Sequence, residues 1–149
     1  MGKSFIVRPA QKSDAPQIKS LIREGRINPT GLNWQRFLLA VSDSGEVVGC
    51  GQIKSHRDGS QELASIAVTE DWRGRGVAGE IIRQLAAQHQ GPLYLMCRSE
   101  LEPMYQKHGF RSLSTDEMPR YLKRISKAAS IIGNCCSQDD HLLVMGRGV

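Results

Sequence analysis

Short continuous apolar runs alternate along this chain with segments whose apolar residues recur every three to four positions. Phe5–Val7 is the first run, closed by Arg8-Pro9. Ile18, Leu21 and Ile22 then share one face of a predicted helix, which Ser13 can cap and Gly25 can stop. Arg26–Trp34 contains Asn-Pro and Thr-Gly and reads as a loop. Phe37–Val41 and Glu46–Lys54 flank Ser42–Gly45 as a β-hairpin, and His56–Gln61 is a second tight connection into Glu62–Val68. Three antiparallel strands are thus expected before a glycine-rich turn at 74–79.

After that turn, Val77, Ile81, Ile82, Leu85 and Ala86 keep helical spacing for about four turns, up to Gly91-Pro92. Leu93–Cys97 reads as a short buried strand. Ser99 can cap a helix through Lys107, ended by Gly109, and Phe110–Leu113 opens another strand. In Pro119–Ile132 the residues Leu122, Ile125, Ala129 and Ile132 lie on one helical side. Gly133–His141 is irregular, and Leu142–Met145 reads as a last strand. No repeat or long linker interrupts this order, so one domain over residues 1–149 is expected, with an extra helix near 119–132.

Composition narrows the classes. Hydrophobic residues make up 40% and charged residues 23%, as in a globular protein. Aromatic residues are 5%, so the core must rest on Leu, Ile, Val and Ala. Twenty Lys+Arg against fifteen Asp+Glu give a net charge of +5, which favours anionic ligands without naming one. The basic segment has Tyr121 as its lone aromatic, which argues against stacking on single-stranded nucleic acid. No apolar run reaches membrane-spanning length and Met1–Ala10 has no signal-peptide core, so a cytoplasmic chain with reduced thiols is expected. Cys50, Cys97, Cys135 and Cys136 form no metal-binding spacing, and no metal is expected.

The turn poses the central question. Gly74–Gly79 is a literal G-x-G-x-x-G, the pattern of a dinucleotide site. Its context does not fit. Polar residues Thr69–Arg73 separate Val68 from the first glycine, and the strands before it read as antiparallel. No Gly-Lys-Ser/Thr follows, which excludes a nucleotide-triphosphate loop. What remains is exposed backbone N–H, the positive end of a helix dipole near Gly76, and the charges of Arg73 and Arg75. That combination suits a compact diphosphate; the bland reading is a tight strand-to-helix turn with solvated arginines.

Arg73–Ala78, RGRGVA, resembles the R/Q-x-x-G-x-G/A signature of the GNAT superfamily of acyl-CoA N-acyltransferases, with Arg73, Gly76 and Ala78 at its defined positions. Glu62–Val68, ELASIAV, looks like the central strand of that family, and Met104–Phe110, MYQKHGF, like its later helix and exit. Where many members carry Asn before that helix, Arg98-Ser99 stand here. The resemblance implies an α/β fold of α+β type: a mixed sheet of six to seven strands with helices on both faces. It also implies acetyl-CoA as cosubstrate, held at Arg73, Gly74, Arg75, Gly76, Val77, Ala78 and Gly79. Backbone groups of Ile66, Ala67 and Val68 would polarise the thioester.

Two side chains then become candidates for proton transfer. The resemblance makes Glu62 the base, acting through water, and Tyr105 the acid that protonates the leaving thiolate. Each has a plain alternative, a solvated strand-end carboxylate and a core aromatic. Met118–Ile132 is similar to the end of N-acetylglutamate synthase domains, where an Arg-x-Ser-Lys helix follows a Leu-Pro. Arg124, Ser126 and Lys127 match that piece, which implies an acceptor carboxylate on Arg124 and Ser126. The stripe Arg120, Lys123, Arg124 and Lys127 can equally be a solvated face. The expected partner is a small-molecule amine, with no nucleic acid and no membrane, and a homodimer is left open. A non-catalytic CoA-binding module and a transferase acting on peptide amines are the competing functions.

Overall fold

The computed structural model describes residues 4–132 and 141–149, with 127–132 described by backbone alone. Cys135, Cys136 and the segment 133–140 lie outside the described residues. Seven strands form one mixed sheet in the order β1-β2-β3-β4-β5-β7-β6. They are β1 (Phe5–Pro9), β2 (Phe37–Ser42), β3 (Val47–Ser55), β4 (Gln61–Val68), β5 (Leu93–Arg98), β6 (Arg111–Ser112) and β7 (Leu142–Arg147). The helices are α1 (Ala15–Glu24), α2 (Val77–Ala87), α3 (Glu102–Gln106) and α4 (Arg120–Ile132). The expected mixed α/β fold is the fold observed. The chain forms two compact units, Met1–Lys54 with Leu63–His89, and Ser55–Glu62 with Gln90–Val149.

In the first unit, β1 and β2 pair antiparallel from Phe5↔Ser42 to Pro9↔Leu38, and β2 and β3 from Phe37↔Gln52 to Val41↔Val47. Every residue of β2 is buried, because a run such as Phe-Leu-Leu-Ala-Val has no polar face to give to water. Ile18, Leu21 and Ile22 of α1 pack into this core beside Phe37, Leu39 and Val41. β3 alternates in a different way. A Cβ on Gly49 would stand 2.7 Å from Val77 Cγ1, and one on Gly51 2.6 Å from Ile66 Cδ1 and 2.8 Å from Ile81 Cγ2. These two glycines let α2 seat directly on the strand, with Val77, Ile81, Ile82, Leu85 and Ala86 buried as their periodicity predicts.

The second unit pairs β5 with β7 antiparallel, Leu93↔Arg147 through Arg98↔Leu142, and β6 with β7 at Arg111↔Gly146 and Ser112↔Met145. β4 joins β5 in parallel at Glu62↔Tyr94. Leu122 of α4 packs with Leu113 and Val144, and Tyr94, Met96, Met118 and Tyr121 flank that cluster.

Three expectations about helix ends change. Ser13 does not cap α1; it sits in a 3-10 turn, Lys12–Asp14, and Asp14 holds the N-cap position. The buried Asp14 carboxylate accepts the Gln11 N–H at 2.7 Å and both Arg8 guanidinium nitrogens at 2.9 and 3.2 Å. Those Arg8 hydrogen bonds hold its pKa below the usual carboxylate value. Ser99 begins a second 3-10 turn, and α3 is confined to five residues. Pro103 is tolerated only in a first helical turn, so it sets where α3 can begin. α2 runs 11 residues, about three turns rather than four.

Candidate active site

The glycine turn is anchored from both sides. After β4 the chain makes a 3-10 turn, Glu70–Trp72, whose start is tied by Thr69 N–H to Val48 O at 2.9 Å. Trp72 is buried, with its ring edge-on to Phe5 at 6.3 Å. Gly74 and Gly76 have φ of +74° and +82°, and a Cβ on either would meet nothing within 4 Å. The left-handed region costs an L side chain roughly 1–2 kcal/mol, which explains the glycines. The open space in front of them is where a ligand could approach the backbone. Gly76 is the N-cap of α2 and supplies no side-chain cap to the first-turn N–H groups. Arg73 Nε donates to Val68 O at 3.3 Å and Arg75 Nε to Asp71 O at 3.2 Å, which orients both exposed side chains along the turn. Uncapped N–H groups, a helix dipole and two guanidinium groups fit an anionic diphosphate.

Just ahead of this turn, Ser65 has φ of +61° inside β4. The strain is held by partners. Gln52 Nε2 donates to Ser65 Oγ at 2.8 Å and to Gly31 O at 3.2 Å, and Cys50 Sγ donates to Ser65 O at 3.4 Å. At roughly 0.5–1.5 kcal/mol net per hydrogen bond, the two that reach Ser65 are comparable to the conformational cost. A left-handed residue turns its neighbouring peptide groups out of a regular ladder. It stands immediately before Ile66–Val68, the stretch expected to polarise a thioester.

The second unit holds a different kind of site. Ser55 Oγ donates to Gln61 Oε1 at 2.8 Å across the hairpin, and the turn closes with His56 N–H to Ser60 O at 3.0 Å. This register puts His56 and Glu62 diagonally across the ribbon on one face. His56 Nε2 lies 2.7 Å from Glu62 Oε1, with the two side chains 10% and 14% exposed. Tyr121 of α4 stacks on the His56 ring, centroids 3.7 Å apart and 19° from parallel. Its backbone N–H donates to Asp58 Oδ2 at 3.0 Å. Hydrogen bonds from the Ser60 hydroxyl and N–H, then from Tyr121 N–H, lower the Asp58 pKa to about 2. Burial, and secondarily the charge of Glu62, raise the Tyr121 phenol above its ordinary value. A cavity of about 530 Å³ is lined here by Ser55, His56, Arg57, Asp58, Arg120, Tyr121 and Arg124.

Elsewhere in that unit Tyr105 is buried in α3, its ring edge-on to Phe110 at 6.1 Å. Burial, with a smaller contribution from Cys97, pushes its pKa up to about 12. Burial likewise lifts the Cys97 thiol to about 11, so it is held neutral.

A family model for the acetyltransferase (GNAT) domain matches residues 33–112, more than half of the chain. The chain belongs to the GNAT acetyltransferase family. The fold of this GNAT chain is similar to that of N-acetylglutamate synthase from Neisseria gonorrhoeae complexed with coenzyme A and N-acetyl-glutamate, at TM-score 0.74 and 18% identity. That match covers 99% of this chain and 35% of the synthase, so the chain spans about a third of its length. It is similar to Rv2747 from Mycobacterium tuberculosis in complex with CoA and NLQ, at TM-score 0.72 and 21% identity, covering 97% and 99% of the two chains. It is also similar to IAA acetyltransferase from Bacillus cereus, at TM-score 0.62 and 22% identity, covering 98% and 100%. No curated protein matches its sequence. Among the described residues no helix is long and apolar enough to cross a membrane.

Within the GNAT frame, Arg124 lines the cavity but Ser126 is not among its lining residues. Residues two positions apart on a helix, such as Arg124 and Ser126, stand about 200° apart around its axis. Arg120 and Arg124, four apart, do share a face. His56, Asp58 and Tyr121 were not legible as site residues, and the His56 side chain is largely buried. The available signal was the hairpin itself, since pairing Ser55 with Gln61 places His56 beside Glu62.

Proposed function

We propose that this protein transfers the acetyl group of acetyl-CoA to the primary amine of a small molecule that carries a carboxylate, an amino acid being the simplest such acceptor. The observation that carries this reading is the cavity of about 530 Å³ lined by Arg120 and Arg124 together with His56 and Tyr121, whose rings stack. Its size is that of a small-molecule site rather than a peptide groove. Paired guanidinium groups are suited to bidentate carboxylate binding.

The chain's own groups divide the work. Arg73, Gly74, Arg75, Gly76, Val77, Ala78 and Gly79 hold the diphosphate of acetyl-CoA through N–H groups and charge. Backbone N–H in Ile66–Val68 receives the oxyanion as the acceptor nitrogen attacks. The carboxylate of Glu62 serves the removal of the ammonium proton, because an alkyl ammonium is no nucleophile. Tyr105, whose phenol stays neutral to about pH 12, protonates the departing thiolate. Arg124 holds the acceptor carboxylate with Arg120, and Ser126 does not line the cavity. The reading takes residues 1–149 as a single acetyltransferase domain working in the cytoplasm. The synthase and Rv2747 complexes carry CoA together with a second small molecule, which supports it.

A thiol-release assay with acetyl-CoA and a panel of amino acids, polyamines and peptides with free N-termini tests this. Turnover with amino acids above the others is expected. Turnover confined to peptides would overturn the small-acceptor reading, and CoA binding without any turnover would make the protein a regulatory module.

A further inference from the structure

We infer that His56, rather than Glu62, takes the proton from the acceptor ammonium, with Glu62 as its positioning partner; this rests on the acetyltransferase reading above. His56 lines the cavity and Glu62 is not among its lining residues. The carboxylate instead meets His56 Nε2 at 2.7 Å, with both side chains largely withdrawn from water. An ionised carboxylate can only accept, so this bond places the imidazole hydrogen on Nε2 and the lone pair on Nδ1. The ring is held against rotation by the stacked Tyr121 ring, itself fixed through its N–H to Asp58. A base oriented on one nitrogen by a carboxylate, with the other nitrogen left for the substrate, is the arrangement that general-base catalysis requires.

The surrounding charges bear on the acceptor. Glu62 meets the ring at Nε2, and Asp58 lines the same cavity. Arg57, Arg120 and Arg124 line the same cavity, with the neutral Tyr121 phenol. Three guanidinium groups disfavour an ammonium held next to them and so ease its deprotonation. The ammonium gives one proton to His56 Nδ1. The amine nitrogen then forms the C–N bond, the C–S bond breaks with its electron pair going to sulfur, and the second nitrogen proton is balanced by the proton that sulfur receives. The proton on His56 leaves to solvent, so one proton is released per acetyl group transferred.

The alternative is that the pair merely ties the hairpin together. Thiol release is followed with acetyl-CoA and the twenty amino acids presented together, alongside CoA affinity by calorimetry and thermal melting. His56→Gln is expected to lower kcat by about 10²-fold or more with CoA affinity and melting retained. His56→Ala regains rate on addition of imidazole, in proportion to its free-base concentration. The ¹⁵N spectrum of the wild-type ring shows the Nε2–H tautomer, and Glu62→Ala abolishes that preference. Turnover of His56→Gln within about threefold of wild type overturns the inference, since general-base catalysis is worth far more. A folded His56→Ala that imidazole does not rescue also overturns it. Loss of rate in Glu62→Ala beside an active His56→Gln returns the base to Glu62. No thiol release by the wild-type protein with any acceptor overturns the acetyltransferase reading and this inference together, whereas an active His56→Gln overturns this one alone.

Discussion

The two compact units of this chain present different kinds of surface. The first offers backbone: N–H groups at the head of α2, freed by two glycines at positive φ and left uncapped. The second offers side chains: His56, Glu62, Arg120, Tyr121 and Arg124, brought together from a hairpin and a helix far apart in sequence. A backbone site tolerates any neighbour that leaves the main chain open, and fails when a side chain enters its space. A side-chain site behaves in the opposite way. In the function proposed above, the diphosphate of the cosubstrate suits the first kind, and the acceptor suits the second.

The largest effect expected from breaking this division lies in the second unit. Tyr105→Phe should lower kcat by about 10²- to 10⁴-fold while leaving CoA affinity near wild type. Because burial pushes the phenol up to about 12, its neutral form persists through the physiological range. No alkaline loss of rate below about pH 11 should therefore trace to Tyr105, and a pH profile compared with Tyr105→Phe checks this. Next comes the loop. Gly76→Asp should cost about 10²-fold or more in CoA affinity, because it sets a carboxylate where a diphosphate would sit and strains φ. Calorimetry on a protein with an intact far-UV spectrum decides it, and acceptor-side variants should leave this number unchanged.

Smaller effects sharpen the contrast. Arg124→Ala should raise KM for an acidic amino acid about tenfold, since a hydrogen bond to a charged group is worth about 1.5–3 kcal/mol. Lys123, which does not line the cavity, should matter much less, and equal salt-sensitive losses from both changes would indicate diffuse attraction instead. The smallest effect is the most discriminating. Gly76 and Gly59 have φ of +82° and +86°, and neither would bring a Cβ within 4 Å of another group. Their alanine variants should lose a similar stability, about 1 kcal/mol, in urea titrations. Only Gly76→Ala should also weaken CoA binding.

The same contrast explains what could be read in advance. The loop was legible because its chemistry is local: glycines, two arginines and the helical spacing of Val77, Ile81 and Leu85 lie within a dozen residues. The succession of strands and helices along the chain, α4 included, followed from periodicity in the same way, whereas the order of strands in the sheet did not. The cap of α1 was misplaced by one residue because Asp14 is chosen by Arg8, a partner on β1. The break in β4 at Ser65 leaves no local trace; it depends on Gln52 and Cys50 reaching across from β3. The stacking of Tyr121 on His56 joins positions 65 residues apart, and no spacing rule links them. Ser126, expected beside Arg124 from a motif resemblance, does not line the cavity that Arg124 lines.

Asp58 has a consequence for how the chain acquires its shape. Its carboxylate accepts the Tyr121 N–H across 63 positions, so α4 borrows its capping group from a turn made much earlier in the sequence. A helix whose nucleus needs a distant partner cannot be completed by local search alone. Closing that loop costs chain entropy before the contact returns anything. The hairpin, by contrast, closes over a handful of residues. The order of events is thereby biased: the turn forms first and serves as the template on which the last helix starts. The cavity lined by Arg120, Tyr121 and Arg124 is assembled in the same step, so no folding intermediate that lacks α4 carries it in finished form.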